Sequence, residues 1–476
     1  MLAVIIIYIV ALLVIGLLAM RHGKNTSSDL ITSSRDHGTW LSALSASASS
    51  ESGWVMLGLV GTAYTSGISC LWLLPGCIAG YLFNWCVIGP RIHELSHGND
   101  VESFADLFHA RFPNASVQVM KAIKAVVVVS ITVFLTVYAS AQFSATGKAA
   151  NAMLGWDYST GVLLGVGLIV IYTAVGGLRA VSWTDVPQAA LMFFSLLILP
   201  FIILASTTFK VGFVADIRAT DASLLSLTGG ATGWAALGFS LGWIGIGLGY
   251  PGQPHVLRRF MTTSSKGIYN RGAIISLVWS QVVFAGAILI GLAARLRFPG
   301  LADPEQALPH AALQLLPPAA AGVAMAGVLS AIWSTADGQL FEASTTIFTS
   351  LKRKGAATRP VMVRALVVVV GIVAGLLALL KVQVIFDVVL YAWGALGAGL
   401  GATLSVVLLW KRATPAGALA GLVAGPLVLY LWKTVFKLGG TLYELIPAFA
   451  AGVLATVIVS AITSPKKAAL NSNAPA

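Results

Sequence analysis

From Leu2 to Met20 the chain runs nineteen residues without one charged side chain, and stretches of similar length and character recur along it. About 20 apolar residues are what a helix needs to cross a bilayer's hydrocarbon core of roughly 30 Å, and lipid admits little besides helices and closed barrels. Such spans fall at 2–20, 40–65, 69–90, 117–146, 158–177, 184–207, 232–253, 272–294, 318–350, 361–380, 384–409, 415–434 and 442–463, thirteen in all. The composition agrees: 57% of the 476 residues are hydrophobic and 10% are charged, where a soluble chain carries about a quarter charged residues. A water-soluble globule is excluded. The opening span reads as a retained helix, because no basic stretch precedes it and no small-residue cleavage site follows it.

The net charge of +12 has a topological explanation, since basic residues collect in the cytoplasmic loops of membrane proteins. With the N-terminus outside and thirteen crossings, 21 of the Lys and Arg residues fall inside and 8 outside. The inner set includes Arg21, Lys24, Arg35, Arg91, Arg111, Arg179, Arg258, Arg259, Arg271, Arg353, Lys354, Arg359, Lys466 and Lys467, and the outer set includes Lys148 and Lys381. This predicts a cytoplasmic C-terminus, and the lipid bilayer, not nucleic acid, becomes the expected partner of the basic charge. No segment between spans exceeds about 27 residues, which leaves no room for a soluble catalytic domain. Cys70, Cys77 and Cys86 lie in apolar sequence without C-x-x-C spacing, against a disulfide scaffold and a zinc site. With no nucleophile–base arrangement either, the chain is not expected to be an enzyme and no cofactor is expected.

Two spans cannot be plain helices. The second contains Ser42, Ser45, Ser47, Ser49, Ser50, Glu51, Ser52 and Gly53 before Trp54. Serines compete for backbone hydrogen bonds, a Ser-Gly step eases unwinding, and a carboxylate at membrane depth usually faces a site. The seventh reads Gly245-Ile246-Gly247-Leu248-Gly249-Tyr250-Pro251-Gly252-Gln253-Pro254, where two prolines end regular helix. Paired breaks five helices apart point to an inverted-repeat transporter with its site at the midplane. The repeats would be 40–207 and 232–409, with one extra helix before them at 2–20 and two after at 415–463. In the ninth span, the Ser334-Thr335 hydroxyls offer hard oxygen ligands for a small cation. Asp337, Glu342 and Asp387 are placed deep in the membrane, and Asp185 near the inner end of the sixth span.

At these residues the sequence resembles the sodium/solute symporter family, most closely its bacterial sodium/proline branch. The resemblance rests on the Ser42 to Trp54 string, Gly176-Gly177 through Ser182-Trp183-Thr184-Asp185, Gly249-Tyr250 through Gln253-Pro254-His255, the Ser334-Thr335 pair, and Tyr391-Ala392-Trp393-Gly394. It implies an all-α integral membrane protein of thirteen helices, a five-plus-five inverted-repeat core of the LeuT type, and a place in the bacterial inner membrane. The implied function is uptake of a small organic solute, proline or a related amino acid, driven by sodium as the coupling ion, with no obligatory protein partner. By the same resemblance, sodium is held by main-chain oxygens of Ala48, Glu51 and Ala331 and the hydroxyls of Ser334 and Thr335. The solute would lie at Ser50, Ser52, Gly53 and Trp54, enclosed by Tyr138, Ile246, Tyr250, Gln253 and Pro254. Asp185 and Asp337 match a second cation or proton site, and Arg35 a coupling residue.

The chain also departs from that pattern. Ser50 stands where proline symporters carry an aspartate, with Glu51 one residue later and so turned by about 100° on a helix. Ile246 replaces a tryptophan, and Asp337 a small hydroxyl residue. These changes support an alternative in which the same scaffold is proton-coupled through Glu51 or Asp337 and carries a different small solute.

Overall fold

A computed structural model describes residues 1–23, 26–99, 101–352, 360–380 and 384–464. Lys24, Arg353, Lys354, Arg359, Lys381, Lys466 and Lys467 of the charge count lie outside the described residues. Among the described residues every regular element is helical. The chain opens with α1 (Leu2–His22) and the short α2 (Ser27–Thr32). Next come α3 (Thr39–Ser50), α4 (Val60–Ser66), α5 (Leu73–Leu82), α6 (Gly89–Gly98) and α7 (Phe104–Arg111). Two long helices follow, α8 (Val117–Leu154) and α9 (Tyr158–Ala205), and then the short α10 (Phe213–Thr220). The second broken element comprises α11 (Gly233–Gly245) and α12 (Pro254–Met261), ahead of α13 (Ile268–Arg297), α14 (Ala307–Leu315) and α15 (Pro318–Leu351). The last are α16 (Pro360–Leu379), α17 (Ile385–Leu396), α18 (Ala402–Leu409), α19 (Pro415–Tyr430) and α20 (Leu445–Thr463).

Among the described residues, ten helical segments are long and apolar enough to cross a membrane, fewer than the thirteen spans expected. The difference has a physical cause. The segment Trp54–Gly98 takes in part of the second span and all of the third, Tyr158–Ala205 takes in the fifth and sixth, and the break between α11 and α12 leaves neither piece long enough. At 48 residues, α9 would be about 72 Å long if straight, more than twice the hydrocarbon core. It is interrupted at Gly177, where φ is 61° and ψ −157°. A Cβ at that position would meet the Leu30 side chain at 2.4 Å, so only glycine serves there.

Burial sorts the helices into an inner and an outer set. The spanning windows of α15 and of Ile385–Leu409 are 83% buried, whereas those of α1 and α20 are 28% buried. The outer helices present Ile6, Ile7 and Leu17, or Leu454, Ile458 and Ile462, to their surroundings, as lipid-facing surfaces should. The polar residues gather on the inner set: α3, the second arm of α9, α12 and α15.

Candidate ion and solute site

The serine-rich α3 stays helical to Ser50 and stops at Glu51, whose φ of −96° and ψ of 83° leave the helical region. Ser42, Ser45, Ser47, Ser49 and Ser50 are all buried. Coil resumes as a wide π turn at Trp54–Leu59, so the interruption falls at the end of the serine run, at Glu51 to Gly53. Backbone freed at this depth must find a partner in the protein. The Gly53 N–H donates to Gln142 Oε1 on α8 at 3.0 Å. A Cβ on Gly53 would lie 3.0 Å from Ile332 on α15 and 3.1 Å from Ala145 and Gln142 on α8, so the residue's smallness lets these two helices close on the break.

Opposite the break, α15 offers its hydroxyl pair. Ser334 Oγ donates to the Ala48 main-chain oxygen at 3.0 Å and lies 3.3 Å from that of Ala331. Thr335 Oγ1 donates to the Ser49 main-chain oxygen at 3.1 Å and lies 3.4 Å from that of Ala48. Ser49 Oγ in turn donates to the Ser334 main-chain oxygen at 2.9 Å. Four of the five expected ion ligands thus converge, all of them neutral hard oxygens suited to an alkali cation. The fifth, Glu51, sits at the end of α3, where the helix stops.

On the far side of the break, Ser52 Oγ lies 3.4 Å from Tyr138 OH. Trp54 Nε1 donates to the Ser50 main-chain oxygen at 3.3 Å, and its ring lies 5.8 Å from Phe284 and 6.0 Å from Phe386. Trp243 meets Phe386 from the other flank, also at 6.0 Å. A cavity of about 170 Å³ lies beyond, lined by Trp243, Ile246, Phe386 and Tyr443 among others. The Glu51 carboxylate points elsewhere, toward α5 and the second break. Its Oε1 accepts from Tyr81 OH at 2.7 Å and Tyr250 OH at 3.1 Å, while Oε2 is buried without a hydrogen-bond partner among the described residues.

The second break is a tight 3-10 coil at Ile246–Gly252, ended by Gln253 in extended backbone and restarted at Pro254, where the missing N–H costs nothing. Trp393 Nε1 donates to the Ile246 main-chain oxygen at 2.9 Å, and Gln253 Nε2 to those of Gly249 and Trp393. These bonds tie α17 to the break. The Tyr391 to Gly394 string had carried only resemblance; its tryptophan is a structural partner of the interrupted helix.

Asp185 and Asp337 are both fully buried, but neither is simply available to an ion. Asp185 Oδ2 accepts from Ser45 Oγ at 2.5 Å and Arg259 Nη2 at 3.0 Å. Asp337 Oδ2 accepts from Tyr172 OH at 2.7 Å. Among the described residues, the remaining oxygen of each has no hydrogen-bond partner. Arg258 and Arg259, counted in the sequence as loop charges, are each 1% exposed and belong to α12. Arg258 is paired with Glu342 through two hydrogen bonds of 2.6 and 2.8 Å. Asp387, expected deep in the membrane, instead lies exposed in the first turn of α17. Arg35 adopts a φ of 54° and donates to the Val101 main-chain oxygen at 3.0 Å, in the loop before α7.

The architecture and site define a membrane carrier: two interrupted helices meet at a polar centre inside a helical bundle. Residues 30–425 match the family described as the sodium:solute symporter family. The chain is 33% identical to the sodium/proline symporter of Haemophilus influenzae, over 98% of this chain and 95% of that one. It is also 33% identical to the high-affinity proline transporter PutP of Bacillus subtilis, over 95% and 96% of the two chains. Among solved structures, it resembles a substrate-bound, outward-open Na+-coupled sialic acid symporter, with a TM-score of 0.80 and 19% identity over 97% of this chain and 98% of that one. It resembles MhsT in complex with L-phenylalanine at 0.55 and 13%, over 90% and 99%. The chain belongs to the sodium:solute symporter family. It is a multi-pass membrane carrier that moves a solute with sodium, not an enzyme, and its fold is the inverted-repeat fold of Na+-coupled symporters.

Proposed function

We propose that this carrier imports a small zwitterionic solute, proline or a related amino acid, together with sodium held where α3 breaks against α15. The observation that carries this reading is the approach of the Ser334 and Thr335 hydroxyls to the Ala48 and Ser49 main-chain oxygens at 3.0 and 3.1 Å. Sodium would take Ala48, Glu51 and Ala331 main-chain oxygens with the two hydroxyls, whose protons would turn outward. The solute would lie against Ser50, Ser52, Gly53, Trp54 and Tyr138, with Ile246, Tyr250, Gln253 and Pro254 completing the enclosure. Proline is favoured over other solutes by the names of the full-length relatives.

Thirteen crossings, with 40–207 and 232–409 as repeats and 2–20 and 415–463 as additional helices, put the N-terminus outside and the C-terminus in the cytoplasm. In this arrangement the ion joins α3 and α15, which belong to opposite repeats. Its binding therefore favours whichever rocking state brings them together. Each 100 mV of membrane potential contributes ~2.3 kcal/mol per charge moved, or about 40-fold accumulation. Arg35, in the first cytoplasmic loop, would act in coupling.

The test is uptake of labelled proline into proteoliposomes with and without an imposed sodium gradient. Concentrative uptake that needs sodium is expected; uptake indifferent to sodium contradicts the proposal. A second reading keeps the scaffold and couples it to protons, supported by the unpartnered buried oxygens Glu51 Oε2 and Asp337 Oδ1. It requires uptake driven by a pH gradient alone and lost in Glu51→Gln or Asp337→Asn.

A further inference from the structure

Arg259 sits one side chain away from the proposed ion site. Its Nη2 donates to Ser49 Oγ at 2.7 Å and to Asp185 Oδ2 at 3.0 Å, and its Nε donates to Ser45 Oγ at 3.0 Å. Ser49 is the bridge, for the same hydroxyl donates to the Ser334 main-chain oxygen at 2.9 Å, and the Ser49 main-chain oxygen accepts from Thr335. The guanidinium also lies against α15 itself: a Cβ on Gly338 would be 3.2 Å from Nη1.

A guanidinium stays charged at any accessible pH, and a unit charge in a poorly polarisable interior is felt across several ångströms. We propose that Arg259 is a positioning residue for the coupling ion: it orients Ser49 and, with Asp185 as its counter-charge, sets how tightly sodium is held. The inference rests on the sodium reading above. While the pair is intact its charges cancel and the ion experiences little net field. Three elements meet here, because Arg259 is on α12, Asp185 on α9, and Ser45 and Ser49 on α3. Drawing α9 away from α12 would expose the ion to an uncompensated guanidinium, so opening the site and expelling the cation become one event.

The purified full-length transporter, titrated with sodium and read by thermal stabilisation, tests this. Asp185→Asn leaves the guanidinium uncompensated and is expected to raise the half-saturating sodium concentration about tenfold. Adding Arg259→Gln removes the offending charge and should bring it back to within about threefold of the parent. The double variant removes both members of the buried pair together, and its midpoint without sodium reports folding separately. An Asp185→Asn protein with unchanged sodium response, or a double variant no tighter than Asp185→Asn, overturns the inference. Failure of the sodium reading is distinguished by Ser334→Ala: if that protein responds to sodium like the parent, the ion site itself is misplaced and this role for Arg259 falls with it.

Discussion

In the proposed orientation, the two sides of the proposed solute site are closed by different chemistry. On the side assigned to the exterior, Trp54, Trp243, Phe284 and Phe386 meet ring to ring at 5.8 to 6.0 Å. On the side assigned to the cytoplasm, α12 is pinned by two successive arginines, Arg258 to Glu342 on α15 and Arg259 to Asp185 on α9. Aromatic pairs contribute ~0.5–1.5 kcal/mol each beyond their buried area and can part without leaving an unmet charge. A buried ion pair that loses one partner costs about 3–5 kcal/mol, because the other charge remains buried. The exterior closure should therefore give way more readily, and the cytoplasmic one should open only when water or a substitute partner reaches its charges.

Three substitutions put that contrast at risk, with effects in descending order. Glu342→Gln strands Arg258 and is expected to destabilise the closed cytoplasmic side by about 3–5 kcal/mol, read as a fall in thermal midpoint and faster labelling of a cysteine placed on α12. A change below 1 kcal/mol would mean that the pair is already solvated. Phe386→Ala removes two ring contacts, and a loss of about 1–3 kcal/mol should appear as faster labelling from the exterior with cytoplasmic labelling unchanged. Equal acceleration on both sides would dissolve the distinction. The smallest effect sharpens it. Glu305, before α14, accepts from the Ile385 and Phe386 N–H groups at 3.0 and 3.3 Å and pairs with Lys148 at 2.5 Å. It caps the start of the helix that carries Phe386, so Glu305→Gln should loosen the exterior side by about 1 kcal/mol, visible as a modest rise in the same exterior labelling.

Much of this was legible in the sequence because lipid enforces it. Apolar runs had to be helices, and the Ser-Gly and Gly-Pro strings had to interrupt them; the breaks appear at Glu51–Gly53 and at Gln253. The Ser334 and Thr335 hydroxyls lie against the Ala48 and Ser49 main-chain oxygens, and sodium binding there is the proposal. Charges at helix ends were harder to read. Counting Lys and Arg by loop cannot distinguish a solvated arginine from one drawn inward, and the partners of Arg258 and Arg259 lie 84 and 74 residues away. Asp387, expected deep in the membrane, is exposed in the first turn of α17, which its place in an apolar run does not reveal. Tyr81 and Tyr172 carried no signal at all, since a tyrosine in an apolar helix announces neither its hydroxyl's direction nor the carboxylate it will meet.

The central claim is that the α15 hydroxyls and the carbonyls at the end of α3 form one cation site. Equilibrium binding of radioactive sodium to the purified protein tests it directly, comparing the parent with the Ser334→Ala, Thr335→Ala double variant. Saturable binding by the parent, weakened at least about tenfold by removing the two charge-neutral ligands, is the expected result. Unaltered sodium affinity in the double variant would contradict the account.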